Sequence, residues 1–192
     1  MGFVTEWMGI DVGGRRKAFD VALVEGQSLA GLRQRQSVGD IVAWVASVKP
    51  SVIAIDSPRS SAPPGQTHRP EEKELRDEVC GIRWTPPSGE LERNPYYEWI
   101  VEGLDLYDAL ASEPVEVIEC FPTASWTRWH GPRNGRRRTT WTREALAALG
   151  LQGLPSRTNQ DMRDAIAAAW TAREYAHDHF DAFGDIIVPR PD

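Results

Sequence analysis

No stretch of about 18 apolar residues occurs in the chain, so a membrane-spanning helix is not expected. The amino terminus lacks the basic, then apolar, then small-residue order of an export signal, and the expected location is the cytoplasm. Cysteine is scarce. Cys80 and Cys120 stand alone, without metal-ligand or redox spacing, and are expected to be reduced and functionally silent. The histidines His68, His130, His177 and His179 are dispersed, and none keeps zinc-site spacing with a cysteine. His177 and His179 fall near a predicted helix end, where they compensate the helix dipole. Internal repeats and low-complexity blocks are missing as well, which excludes a repeat architecture.

What is present suffices for one filled core. With 41% hydrophobic and 26% charged residues, the 192 residues are expected to form a single domain, 1–192. The net charge of −6 argues against a non-specific nucleic-acid binder, but it hides an asymmetry. Between Arg128 and Arg143 there are six arginines and no acid, so that window carries +6 and leaves −12 on the rest. A local basic face on an acidic body is the consequence.

Three short apolar runs each end on a carboxylate: Trp7 to Asp11, Ser51 to Asp56 and Val115 to Glu119. Such runs read as buried strands, and in parallel sheets ligands bind at the strands' carboxyl ends. A fourth acidic cluster, Asp161 and Asp164, opens an alanine-rich helix. Acids brought to one edge raise each other's pKa, so the cluster needs a cation; Mg²⁺ or Mn²⁺ fits, with a phosphodiester as substrate.

Further strands are predicted at 19–24 and 28–38, forming an antiparallel meander with the first. Ile41, Trp44, Val45 and Val48 have helical spacing, and Lys49-Pro50 stops that helix. A Ser/Pro/Gly-rich loop, 57–67, precedes a helix from Pro70 to Gly81. After a second loop at 85–89, Asn94-Pro95 starts a helix whose buried face is traced by Tyr96, Ile100, Leu104, Tyr107 and Ala111. A short helix is predicted at 142–149, and Thr158 is predicted to cap a last helix reaching about His177.

Five motifs in order carry a family resemblance: Gly9-Ile10-Asp11 with Gly13-Gly14, Ile55-Asp56-Ser57-Pro58, Arg69 with Glu72 and Leu75-Arg76, Glu119-Cys120-Phe121-Pro122, and Asp161-Met162-Arg163-Asp164-Ala165. Together they resemble domain-of-unknown-function family 429, described as predicted nucleases of ribonuclease H-like fold. The segment from Asp164 to Ala169 also looks like the metal-binding helix of RuvC-type resolvases. The resemblance implies an α/β, ribonuclease H-like fold: a central mixed five-stranded sheet flanked by helices, with a helical insertion between strands four and five (about 57–113) and a basic loop (about 126–143). It also implies a 5′-phosphate product. RuvC-type sites usually carry Glu on strand four, where this chain has the shorter Asp56.

Two-metal phosphodiester hydrolysis needs acidic oxygens around two cations roughly 3.5–4 Å apart. Asp11, Asp56 and Asp164 are the expected core ligands, with Asp161 a further ligand and Glu119 assisting. Each has a structural alternative. Asp11 and Asp56 could make turns with their own backbone, and Asp161 could complete a capping box with Thr158. Glu119 could pair with an arginine such as Arg76. Arg69, Glu72 and Arg76 are candidate lining residues. Arg128, Trp129, Arg133, Arg136, Arg137, Arg138, Trp141 and Arg143 interleave guanidinium groups with indoles, a pattern that grips phosphates and stacks unpaired bases. The alternative there is a surface loop whose tryptophans pack in the core. The leading expectation is a metal-dependent nuclease acting on DNA or RNA. Its rivals are a nucleotide-binding module of the actin-like superfamily, suggested by Asp11-Val12-Gly13-Gly14, and a non-catalytic nucleic-acid-binding protein.

Overall fold

Successive side chains on a strand alternate between faces, and the strand β1 (Glu6–Val12) sends Met8 and Ile10 into one core and Trp7 into another. The computed structural model describes residues 5–191. β1 pairs antiparallel with β2 (Phe19–Glu25), which pairs antiparallel with β3 (Ser28–Gln36), as the predicted meander requires. Helix α1 (Val38–Val48) follows. Ser37 caps it reciprocally with Asp40, and Lys49 ends it in the left-handed conformation. Strand β4 (Val52–Asp56) then enters beside β1, parallel to it.

The expected insertion contains α2 (Pro70–Glu78), the short α3 (Ser88–Leu91), a 3₁₀ turn at Pro95–Tyr97 and α4 (Glu98–Leu110). α4 buries Ile100, Gly103, Leu106 and Leu110, not the predicted face running through Leu104 and Ala111. The 3₁₀ turn resets the helix phase at Glu98, and Gly103 lies so close to Ser57 that a Cβ there would overlap the serine side chain. Strand β5 (Glu116–Cys120) continues the parallel set beside β4.

Two predictions fail beyond β5. The basic segment is not one loop over 126–143: α5 (Pro122–His130) and α6 (Arg138–Ala148) take up most of it and leave 131–137 as the connection. Pro122 serves as the first helical residue of α5, where a missing N–H is harmless. The sheet also has seven strands rather than five, in the order β3-β2-β1-β4-β5-β7-β6. The added strands, β6 (Phe180–Phe183) and β7 (Ile186–Pro189), form a hairpin around Gly184-Asp185, with Gly184 at φ +54. Strands of four residues are too short to show a clear alternation.

Helix α7 (Gln160–Ala176) covers one face of the sheet, and α1 and α4 cover the other. The buried surface of α7 is mostly alanine, and its backbone lies against β1 at Gly9. A Cβ on Gly9 would overlap the Ala169 amide and the Ala165 carbonyl. Its cap is Asn159, whose side chain accepts from the Met162 N–H at 2.7 Å, not the predicted Thr158. Among the described residues no helix is long and apolar enough to cross a membrane.

Gly9→Ala is expected to destabilise the protein by about 1–3 kcal/mol or more, because backbone on both sides has to separate. Urea denaturation followed by circular dichroism measures the loss, and a stability equal to wild type would refute the close seat of α7.

Candidate active site

Register decides which acids meet. Asp11 on β1 is level with Asp56 on the parallel strand β4, and with Asp20 on the antiparallel strand β2. Paired residues face the same side of a sheet, so three aspartates form a row across adjacent strands on the α7 face. Asp164, on the second turn of α7 and only 3% exposed, faces this row. Asp20 escaped the sequence reading because it sits inside a strand rather than at the end of an apolar run. Its carboxylate accepts from the Arg35 amide at 3.1 Å and from Gln34 at 3.4 Å.

Crowding shows in the proton affinities. Desolvation, then Asp56 and Asp164, holds Asp11 well above the ordinary carboxyl range. Burial, then Asp164, raises Asp56 to about 8, against the pull of Arg138. Burial also raises Asp164, while Arg138, Gln160 and Trp126 hold it back. The predicted capping role of Asp161 does not occur, since the third helical position is Met162; Asp161 pairs instead with Lys17 at 3.3 Å.

Glu119 does not join the aspartates. It is level with Ile55, one residue short of Asp56, and therefore faces the opposite side of the sheet. There Arg69 holds it with both terminal nitrogens, one at 2.8 Å, and the Arg59 amide donates at 2.8 Å. Arg69 also binds Glu72 at 3.1 Å, and Glu72 accepts from Thr85. Arg69, Glu72 and Glu119 are all buried, so this network ties the insertion to β5. The partner suggested by the sequence, Arg76, is exposed, pairs with Asp77 at 3.1 Å and lies over Trp84. It does not line the site.

A cleft of about 950 Å³ runs along this edge, lined by Asp11, Asp56, Asp161 and Asp164 together with Arg133 and Arg138, and Arg69, Glu72 and Glu119 line it as well. Three arginines of the basic segment are committed: Arg128 to Asp181 at 3.2 Å, Arg136 to Glu144 at 3.3 Å, and Arg138 to Asp164 at 2.8 Å. The other three, Arg133, Arg137 and Arg143, are exposed. The indoles turn inward: Trp126 is fully buried, Trp141 is 1% exposed, and Trp129 is half-buried against Trp126. Trp141 therefore cannot stack a base. Among the described residues the large apolar side chain left exposed is Tyr96, at 53%, hydrogen-bonded by the cleft residue Arg83.

The profile of a family described as "Protein of unknown function (DUF429)" matches residues 9–186. The chain belongs to that family. No curated protein matches this DUF429 chain. Among solved structures it is similar to "Thermus thermophilus RuvC structure", with TM-score 0.50, 19% identity, and coverage of 91% of this chain and 96% of that one. It is also similar to "T. thermophilus RuvC in complex with Holliday junction substrate", with TM-score 0.55, 18% identity and the same coverage, 91% and 96%. These likenesses establish a ribonuclease H-like fold.

Among the described residues no group of three or more His, Cys, Asp or Glu side chains is arranged to hold a metal ion. Asp164 supplies the reason. Its Oδ1 accepts from Trp126 and Gln160, and its Oδ2 from Gln160 and Arg138, all at 2.8–3.0 Å, which fills the lone pairs of a carboxylate. The residue types do fit a hard divalent cation, with Asp11 and Asp56 level beneath Asp164. Ser57 Oγ, which lines the same cleft, is also buried without a hydrogen-bond partner. The Gly13-Gly14 loop closes on itself, with the Gly13 amide donating to Ala18 and Arg15 pairing with Glu102 at 3.0 Å.

Carboxyls with raised folded-state pKa bind more protons folded than unfolded. Their contribution to stability is complete below about pH 4, the unfolded carboxyl range, and is lost as pH rises towards about 8. The thermal midpoint in EDTA is expected to fall between about pH 6 and pH 9, less steeply in Asp56→Asn; a wild-type midpoint that rises over this window would refute the reading. On the opposite face, Arg69→Met leaves Glu119 and Glu72 buried without their cation, at an expected loss of about 3–5 kcal/mol in chemical denaturation.

Proposed function

We propose that this protein hydrolyses phosphodiester bonds of nucleic acid with Mg²⁺ or Mn²⁺. The observation that carries the reading is the register row: Asp11 and Asp56 end adjacent parallel strands on one face, opposite Asp164, in a cleft that Arg133 and Arg138 also line. Its fold is shared with a RuvC whose structure is described in complex with Holliday junction substrate, which supports nucleic acid as the substrate class.

Asp11, Asp56 and Asp164 would hold the metal, and Asp161, tied to Lys17, stands beside them. When bound, such an ion would supply Lewis-acid activation of water and charge neutralisation at the phosphate. The exposed guanidinium groups of Arg133, Arg137 and Arg143 bind backbone phosphates. Tyr96, exposed at the rim beside Arg83, offers the stacking face that Trp141 does not.

The test incubates purified protein with Mn²⁺ and end-labelled single- and double-stranded DNA and RNA. Cleavage is expected to stop in EDTA. In Asp11→Asn with Asp164→Asn it is expected to fall by more than the roughly 10–100-fold that outer-shell metal partners carry. Replacing Arg133, Arg137 and Arg143 with alanine is expected to flatten the salt dependence of binding by roughly one unit for each phosphate no longer neutralised. Undiminished cleavage by the double asparagine variant would refute the reading. Binding that ignores metal, without cleavage, would identify a non-catalytic binding protein.

A further inference from the structure

We propose that the Arg138 guanidinium is the resident counter-cation of the aspartate cluster, and that Arg138 and a divalent ion take Asp164 by exchange. The inference rests on the metal-dependent reading above and concerns what that metal must displace.

Four hydrogen bonds saturate Asp164, and three of them come from groups held by further contacts. Trp126 Nε1 belongs to a fully buried indole. Gln160 donates to both oxygens from the first turn of the same helix, while its own carbonyl accepts from Thr142 at 3.0 Å and from Arg163 at 3.1 Å. Arg138 differs. It is the first residue of α6, directly after the 131–137 connection, and its side chain is 45% exposed where that of Asp164 is 4% exposed. Its 2.8 Å bond to Asp164 Oδ2 is the one that can break into open solvent.

Charge makes the two cations exclusive. Arg138 already holds Asp164 Oδ2, so a divalent ion that Asp11, Asp56 and Asp164 would hold competes with the guanidinium for the same carboxylate, and like charges repel strongly in a partly desolvated cleft. Without either cation the crowding of the three carboxyls is relieved only by bound protons, so either cation competes for the same charge. An ion pair with one half-exposed partner is weak enough to yield to a metal. Arg138 therefore sets how much metal is needed to take Asp164.

The test is Mn²⁺ alone titrated calorimetrically into the full chain and into Arg138→Gln, Arg138→Lys and Lys49→Gln. Lys49 is exposed and ends α1 ahead of β4, at the far end of that strand from Asp56, so its variant removes the same charge away from the cluster. R138Q is expected to bind Mn²⁺ at least about tenfold more tightly than wild type, because its competitor is gone. K49Q is expected within about twofold of wild type, since a distant exposed charge is screened. R138K, which keeps a cation, is expected nearer to wild type than to R138Q. In EDTA, R138Q is expected to melt below wild type, with Mn²⁺ closing the gap. Folding of R138Q that depends on Mn²⁺ carries the same conclusion, because the ion then replaces the lost cation. Equal Mn²⁺ affinity in R138Q and K49Q overturns the exchange alone. Absence of Mn²⁺ binding by every variant and by wild type overturns the metal reading itself.

Discussion

The seat of α7 on Gly9 governs this molecule. Because Gly9 has no side chain, the helix backbone approaches β1 closely enough to lie on it, and the alanines from Ala165 to Ala172 keep the rest of the interface thin. Asp164 immediately precedes Ala165, the first helical residue to meet Gly9. Its height above the sheet, and hence its distance from Asp11 and Asp56, follows from how deeply the helix sits. A larger residue at Gly9 would act on the site without touching a carboxylate.

Electrostatics then divide the sheet into two faces with different solutions to one problem. On the α7 face Asp11, Asp56 and Asp164 crowd together, and the cation available to them, Arg138, is half-exposed. On the other face Glu119 and Glu72 are buried, and Arg69 is enclosed with them and hydrogen-bonded to both. The first arrangement leaves a charge that can exchange. The second is locked, and it anchors the insertion that forms one wall of the cleft. Strand alternation is what separates them, since Glu119 is one residue out of step with Asp56.

Much of this was legible in the residue order, and the failures have physical causes. The apolar runs ending at Asp11, Asp56 and Glu119 identified three strands and their common edge, because buried parallel strands are continuous in hydrophobicity. The arginine segment was visible as charge, but charge says nothing about secondary structure. Pro122 and the apolar faces of α5 and α6 turn most of it into helix and draw Trp126 and Trp141 inward. The hairpin from Phe180 to Pro189 was missed because two four-residue strands give too few repeats of the alternation to count.

By itself the sequence determined the inventory: which strands end in acid, where the positive charge is concentrated, and that a small-residue helix carries Asp164. These follow from local pattern, which a linear chain displays directly. Only the tertiary structure decided the partnerships: that Asp20 joins the row, that Glu119 leaves it for Arg69, and that Arg138 turns from substrate to Asp164. Register, helix seating and side-chain reach set those choices, and each depends on residues far apart in the chain meeting across a packed interface.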